Sequence, residues 1–597
     1  MQRIWRFHPY DVEIAARLAA ECGISPVIAR LLSLRGVDSP VSVSRFLNAK
    51  LTDLRAPSEL PGLSQAVEQI WSAIASGHEI VVHGDYDADG MTATAIVYLC
   101  LKRIGGAVSY FLPNRMDEGY GLHPDTVTRL AERGKRLIIT VDCGIGSLEA
   151  ACVARRLGVH LVVTDHHQYG DQLPDVDAIV HPALPGTAYP FHGLCGAGVA
   201  FKLAWALCQK ASGGSKVSES LRDFLVQALG LAAMGTVADV VPLVDENRII
   251  VRNGLRSLAT SKLVGVRRLL ESAKLAEKRC LTSEDVAFTL APRLNAAGRL
   301  GQAQLGVELL TTEDADRAGA LADYIQQLNG NRETIERSIT LAAGKHAKEV
   351  HATNDPALVL AMPGWHPGVI GIVAGKLAER HHKPVVMIAL DQMGERPGIG
   401  SARSPNGVNL HLALQNCRQF LISGGGHAAA AGLKIDERQV AAFRAAFCEA
   451  VAEQSGRLDT TAALVIDAEA PLGQLNLAAV EQMELLAPFG NGNHRPLLCA
   501  TAVEIAEPPK ALGSGSRHLS LKLSQHGATM RAVAFGQFEH WMESLAQCTE
   551  PIDIAFRPVI NEFRGFKKVE MHLVDWRPQH TTVGAPHFLQ PAPATAF

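Results

Sequence analysis

Asp85, Asp87 and Asp89 alternate along His83-Gly84-Asp85-Tyr86-Asp87-Ala88-Asp89-Gly90, directly behind the apolar run Ile80-Val81-Val82. Three carboxylates this close repel one another unless a cation neutralises them. A second polar turn, Asp165-His166-His167, closes the run Leu161-Val162-Val163-Thr164. A third, Asp142-Cys143-Gly144-Ile145-Gly146, closes Ile138–Val141, and Asp239 stands among valines in Gly235-Thr236-Val237-Ala238-Asp239-Val240-Val241-Pro242. An acid in so apolar a setting is costly unless it meets a cation. Asp85, Asp87 and Asp89 can converge on one hard cation. Oxygen ligands favour Mg²⁺ or Mn²⁺, and added imidazoles tilt the choice toward Mn²⁺. A calcium loop is excluded, because with Asp85 in first place the twelfth position needs a Glu near Ile96. Each aspartate taken singly could be only a helix cap; four such sites together point to metal-assisted hydrolysis.

The elements that must position these residues are legible as short β-branched runs, the mark of buried parallel strands. Open α/β sheets place their chemistry at the carboxyl ends of such strands. The runs are Ile80–Val82, Val108–Leu112, Leu137–Val141, Leu161–Val163 and Ala178–Val180, with helical stretches such as Thr92–Arg103 and Pro124–Arg133 between them. Alternation of this kind predicts a mostly parallel sheet with helices on both faces. Asp142 is then expected on the same rim as Asp87 and His166. Residues 1–50 read as a small helical preface to this domain, and 195–290 as mainly helical. From Thr311 to about 350, Leu321, Ile325, Leu328, Ile335 and Ile339 recur at helical spacing and predict one long connecting helix, or two broken near Gly330-Asn331. A second, glycine-rich α/β pattern runs from Ala357 to about 450. Beyond 460, Leu519-Ser520-Leu521-Lys522-Leu523 and Val569-Glu570-Met571-His572-Leu573 alternate with period two, predicting a small antiparallel barrel or sandwich. Its cations are His518, Lys522, Arg531, Arg557, Arg564, Lys567 and Lys568.

The chain has 597 residues, enough for three or four domains at about 150 residues each. A formal net charge of −3 gives no overall signature of duplex binding, although a local basic groove can coexist with acidic ligands. No stretch approaches the roughly 20 apolar residues of a membrane span. The eleven scattered cysteines form no CxxC pair, as expected of reduced thiols in the cytoplasm.

The set Asp85-x-Asp87-x-Asp89-Gly90, Asp142, Asp165-His166-His167 and Asp239 resembles the four motifs of the DHH phosphoesterase superfamily. Arg293-Leu294-Asn295-Ala296-Ala297-Gly298-Arg299-Leu300 and Gly364-Trp365-His366-Pro367-Gly368-Val369-Ile370-Gly371 resemble signatures of its single-strand-specific exonuclease branch. Gly424–Gly432, with Gly425, Gly426 and His427, resembles the motif of the DHH-associated domain. The resemblance runs from roughly residue 50 to 450 and keeps the motif order.

It implies an α/β fold in which a DHH-type parallel-sheet domain (51–310) and a smaller DHH-associated α/β domain (353–455) are joined by a long helix (311–352). A C-terminal β-barrel of OB-fold type (460–580) and a disordered tail (581–597) follow. It also implies two ions, Mn²⁺ or Mg²⁺, on Asp85, Asp87, Asp89, Asp142, His166 and Asp239. Asp142 and Asp239 would bridge or flank them, and His167 would serve the leaving group or the outer sphere. His83, four residues before Asp87, is a conditional ligand. Ser401, Arg403 and Arg115 would seat a terminal 5′-phosphate, the glycines at 424–426 would form an anion nest, and Arg293, Asn295 and Arg299 would touch backbone phosphate, with a structural role as the alternative for a buried Asn295. The implied activity is 5′-to-3′ degradation of single-stranded DNA in repair and recombination, with a helicase and a single-strand-binding protein as partners. The alternatives are a DHH phosphodiesterase acting on short oligonucleotides or cyclic dinucleotides, and a non-catalytic replication or repair scaffold.

Overall fold

In the computed structural model, which describes residues 3–114, 119–352, 354–405, 407–456, 463–513, 517–563 and 565–579, the β-branched runs form a five-stranded parallel sheet. Its strands are β1 (Ile80–His83), β2 (Val108–Phe111), β3 (Leu137–Val141), β4 (His160–Thr164) and β5 (Ala178–Val180), in the order β2-β1-β3-β4-β5. All residues of β1 and β3 are buried, which is why those runs are unbroken rather than alternating. Helix α1 (Ala88–Arg103) follows β1, α2 (Pro124–Glu132) follows β2, and α3 (Leu148–Leu157) follows β3. The predicted helical stretch 195–290 contains α4 (Gly196–Ala211) and α5 (Glu219–Ala238), which pack on α1 and on each other. Helix α5 is the one described helix long and apolar enough to cross a membrane, but most of its apolar length is buried in this packing.

Three further helices lead out of the sheet domain: α6 (Ala291–Arg299), α7 (Ala303–Thr311) and α8 (Ala315–Val350). Helix α8 is continuous for 36 residues, about 54 Å at 1.5 Å per residue, with no break at Gly330-Asn331. Side-chain pairs one turn apart carry it through the glycine. Asn329 Nδ2 donates to Glu333 at 2.9 Å, Arg332 donates to Asn329 Oδ1 at 2.8 Å, and Arg332 also pairs with Glu336.

The second α/β domain is a mixed sheet of β6 (Leu358–Pro363), β7 (Val385–Leu390), β8 (Gly398–Arg403), β9 (Ser423–Gly426) and β10 (Ala430–Ile435), in the order β9-β10-β8-β7-β6. Only β6 and β7 are parallel. Helix α9 (Pro367–His381) packs across β7 and β8 and touches α8.

These domains form one unit, residues 55–241 with 253–460, and the remaining segments form another. The N-terminal segment groups with the C-terminal barrel rather than with the sheet domain. It is not wholly helical either: a strand at Ile4–Phe7 pairs in parallel with Ala463–Ile466 and precedes helices Val12–Cys22, Pro26–Ser33 and Pro40–Asn48. Trp5 is buried beside Ile466, Leu497 and Cys499, which explains why an apolar strand starts the chain. The barrel closes through pairing of Leu498–Leu512 with Ile552–Phe563. Two of its pairings are parallel, Ala532↔Met571 with Val533↔His572 and the short Ala468↔Leu498 with Glu469↔Cys499, a departure from the predicted antiparallel pattern. Lys522 is engaged by Glu507 at 2.7 Å and Arg531 by Glu570 at 2.9 Å. Arg115, Arg564 and the tail 581–597 lie outside the described residues.

Candidate metal centre and adjoining pocket

The turn after β1 carries Asp85, almost fully buried, and then Asp87 as the N-cap of α1. Asp87 Oδ1 accepts from the backbone N–H groups of Asp89 and Gly90, both at 3.0 Å. Gly90 is required here, because a Cβ would stand 2.6 Å from the Asp85 side chain. Asp85, Asp87 and Asp142 offer ligand atoms all within 4.8 Å of one another.

Asp142 ends β3 in the left-handed region, at φ 62°. Asp and Asn tolerate that conformation better than other residues with a Cβ. Its backbone is held from both sides: its N–H donates to Thr164 O at 3.0 Å, and the Tyr120 hydroxyl donates to its carbonyl at 3.2 Å. Gly196, at the start of α4, must also be glycine, since a Cβ there would lie 2.4 Å from Asp142 Oδ1.

Asp89 points the other way, to the amino end of α4. Gly196 N–H donates to its Oδ2 at 2.7 Å and Ala197 N–H to its Oδ1 at 2.9 Å, a favourable seat for an anion. Asp239 is the C-cap of α5 rather than a strand-end residue. Asp89, His166 and Asp239 make a second convergent group, and Asp142, His166 and His167 a third. The Nε2 atom of His166 lies 3.0 Å from Asp142 Oδ1, 3.7 Å from Asp239 Oδ2 and 4.0 Å from Asp89 Oδ2. The three aspartates of the first motif therefore fall into two convergent groups. The start of α1 sends Asp89 to a different group from Asp85 and Asp87, and Asp142 lies between the two.

Charge sharpens this picture. Burial, then the charges of Asp89, Asp87, Asp85 and Asp239, push the Asp142 carboxyl well above the usual range. Burial and the neighbouring acids, Asp89 foremost, raise Asp239 to about 8; burial and Asp87 raise Asp89 to about 6. His166 is pulled down to about 3 by burial and by His167, so it is a neutral imidazole able to give a lone pair. For His167, burial acts downward, but the hydrogen bond to Asp165 and its charge prevail and hold the ring at about 9. Asp165 is correspondingly held at about 2 despite burial. It accepts from Ile145 N–H at 3.0 Å, from the backbone N–H groups of His166 and His167, and from His167 Nδ1 at 2.8 Å.

The residues fit divalent cations on a structural test. Asp142 Oδ1 and His166 Nε2 are buried without a hydrogen-bond partner among the described residues, although only 3.0 Å apart. Their separation suits a hydrogen bond and their angles do not, as expected of atoms aimed at a common point. Carboxylate oxygens with one imidazole suit Mn²⁺ or Mg²⁺. His83 belongs to none of the three groups. It is fully buried, with Nδ1 3.6 Å from Cys143 Sγ and its ring 5.6 Å from Phe111. Its reading as a conditional ligand gains nothing from this placement.

Beside the acidic turn lies a cavity of about 600 Å³ lined by Tyr86, Gly368, Ser401, Arg403, Gly424–Gly426 and Lys434 among others. Tyr86 stands between Asp85 and Asp87, so the cavity adjoins the metal groups. Arg403 Nη1 donates to Ser401 Oγ at 3.0 Å and to Ala402 O at 2.7 Å. Gly425 and Gly426 also line the cavity, but they belong to edge strand β9 and not to an anion nest; pairing with β10 keeps them in ladder register. His427 is exposed and is not among the lining residues.

The predicted phosphate contacts of α6 divide. Asn295 Oδ1 accepts from Ala88 N–H at 2.8 Å, so it braces the first turn of α1 behind the acidic residues. Arg293 Nη1 donates to Thr289 O at 2.5 Å. Arg299 Nη1 donates to Gly368 O at 3.2 Å and joins the two sheet domains. Close backbone packing supports that junction, since a Cβ on Gly368 would stand 2.2 Å from Arg299 O; within the first domain a Cβ on Gly298 would stand 1.9 Å from Tyr86 O. Sequence reasoning missed Tyr120, whose hydroxyl lies 2.9 Å from His167 Nδ1, and the glycines Gly196 and Gly235 that bring helix backbone against the acids. The apolar context of Gly196–Gly198 was the one available signal.

A parallel sheet with aspartate and histidine turns on its carboxyl rim, linked by a long helix to a glycine-rich sheet, defines a phosphoesterase of the DHH class. Residues 79–236 match the DHH family N-terminal domain and 354–453 the DHHA1 domain. Residues 466–575 match the RecJ OB domain, and the chain belongs to the RecJ family. The single-stranded-DNA-specific exonuclease RecJ of Bacillus subtilis is 36% identical over 96% of this chain and 70% of its own length. That of Dickeya dadantii is 36% identical over 91% of this chain and 95% of its own. The crystal structure of Thermus thermophilus RecJ in complex with Mn²⁺ matches at a TM-score of 0.80, with 32% identity, covering 96% of this chain and 79% of that one.

Proposed function

We propose that this chain is a metal-dependent exonuclease that degrades single-stranded DNA from its 5′ end by hydrolysing phosphodiesters, in repair and recombination. The observation that carries the reading is the adjacency of the two convergent acidic groups and the Ser401–Arg403 cavity, with Tyr86 common to the turn and the cavity wall. Membership of a family of single-stranded-DNA-specific exonucleases and the Mn²⁺ and Mg²⁺ in related RecJ crystal structures support it. Degradation of a single strand labelled at either end tests it directly. Loss should begin at the 5′ label with Mn²⁺ and stop in EDTA; loss from both ends at equal rates would contradict the polarity. A cytoplasmic setting and recruitment by a helicase or single-strand-binding protein belong to the same proposal.

Asp85, Asp87 and Asp142 would hold one cation, and Asp89, His166 and Asp239 a second, with Asp142 between them. Two such cations neutralise charge on the phosphodiester and acidify water at neutral pH. The chain's own work is to aim and to protonate. Ser401 and Arg403 seat the 5′-phosphate, and Arg suits this because its planar fork grips phosphate with two donors. Asp165 fixes His167 through Nδ1, leaving Nε2 to carry a proton toward the departing oxygen.

That assignment predicts a pH dependence. A His167 that must be protonated, with its pKa held at about 9 by Asp165, gives activity that falls as pH rises past about 9. In Asp165→Asn the support is lost and the falling limb should move to lower pH. Single-turnover rates across pH 6 to 10 check this, and an unmoved limb removes His167 from the proton path. Gly196→Ala should cost about 10²-fold in rate or more, because the added methyl displaces the Asp142 carboxylate and small misplacements at a reacting centre are that expensive. Wild-type turnover of a folded Gly196→Ala variant would contradict the placement of Asp142.

A further inference from the structure

We infer that a second cavity, lined by Phe111 and sharing no lining residue with the Ser401–Arg403 cavity, binds a nucleoside monophosphate. The cavity measures about 510 Å³ and opens where β2 ends and α7 begins. Its volume falls within the range of small-ligand sites. Arg129 and Arg133 line it from α2, and its described lining residues include no carboxylate. The Arg129 guanidinium lies over the Phe111 ring, 5.3 Å from its centroid, and donates to Thr126 Oγ1 at 3.3 Å. Stacking of this kind orients the planar fork before any ligand arrives. The opposite wall holds Gln302 and Gln304 at the start of α7, and the Gln302 side chain does not cap that helix. The helix start therefore adds partial positive charge to that of the two arginines.

The remaining wall decides between a bare anion and a nucleotide. Leu112, Pro113 and Leu305 supply an apolar surface suited to a base or sugar, and Asn114 an amide able to meet a base edge. Gly301, at φ 76°, shapes this corner: a Cβ there would stand 3.1 Å from Asn114 Oδ1. Phosphate would sit between Arg129, Arg133 and the α7 start, and the nucleoside along Leu112 and Leu305. Phe111, which lines the cavity, meets the His83 ring at 5.6 Å, and neither Asp85 nor Asp87 is among the described lining residues.

The inference does not rest on the nuclease reading, and its test is made without turnover. Thymidine 5′-monophosphate, inorganic phosphate and thymidine are titrated calorimetrically into the full chain in EDTA. The monophosphate should bind at least tenfold more tightly than phosphate, and thymidine not measurably. Arg129→Gln with Arg133→Gln should abolish one monophosphate-binding event, and that event should persist in Arg403→Gln, which removes only binding at the Ser401–Arg403 cavity. Gln304→Glu should do the same as the arginine pair while favouring the helix start, which separates lost charge complementarity from misfolding. Equal affinity for phosphate and the monophosphate would overturn the nucleotide assignment. No binding, or binding that survives the α2 and α7 changes and disappears in Arg403→Gln, would overturn the site itself.

Discussion

Asp142→Asn is expected to lower hydrolysis of single-stranded DNA by about 10³-fold or more, an order typical of removing a key charge-stabilising group, while leaving the fold intact. Asn keeps the left-handed backbone that Asp142 adopts at φ 62°, so the change removes charge and one ligand oxygen without releasing the strand end. In EDTA the same variant should melt at a higher temperature than the wild-type chain near pH 8. The folded pKa values of Asp142, Asp239 and Asp89 are raised above their unfolded values by burial and mutual repulsion. Their contribution to stability is therefore fully present below the unfolded carboxylate range near pH 4 and is lost as pH rises through the folded values, about 6 for Asp89 and about 8 for Asp239. Metal-free wild-type protein should lose melting temperature from pH 5 to 8, and Asp142→Asn should lose less. Thermal unfolding followed by circular dichroism checks both slopes. Equal slopes would mean that these acids do not repel one another in the folded chain.

Arg403→Gln should reduce kcat/KM on a 5′-phosphorylated strand by about 10- to 100-fold, the worth of a charged hydrogen bond. It should leave a 5′-hydroxyl strand nearly unaffected. Arg403 is oriented by Ser401 Oγ and Ala402 O, and Gly371 of α9 keeps space above the pair, since a Cβ there would lie 3.0 Å from Ser401 Oγ and 3.2 Å from Arg403 Nη2. The measurement is initial cleavage rate for four combinations of enzyme and 5′ end. A phosphate preference that persists undiminished in Arg403→Gln would place the phosphate elsewhere.

The sheet that bears the site was legible because its strands are buried on both faces. Ile80–Val82 and Leu137–Val141 read as unbroken β-branched runs, and the polar turns that end them fall on one rim by topology alone. The sharing of ligands was not legible. Asp85, Asp87 and Asp89 look equivalent in sequence, yet the start of α1 turns Asp89 toward Gly196 and Ala197, more than a hundred residues away. Asn295 was open between a phosphate contact and a structural role for a similar reason. Its motif marks it as functional, but its partner is the backbone of Ala88, and nothing local to residue 295 announces a brace for a helix so distant. The N-terminal strand was missed because Ile4–Phe7 is short and its pairing partner begins at Ala463. Gly330 suggested a break in α8 that the Asn329, Arg332, Glu333 and Glu336 side chains prevent.

The central claim is that Asp85, Asp87, Asp89, Asp142, His166 and Asp239 hold two cations with Asp142 between them. The most direct measurement is calorimetric titration of Mn²⁺ into the EDTA-stripped, buffer-exchanged full chain, beside Asp142→Asn and Asp239→Asn. Two ions per wild-type chain are expected, with both sites weakened in Asp142→Asn and one retained in Asp239→Asn. Two ions bound with unchanged affinity in Asp142→Asn would contradict the account.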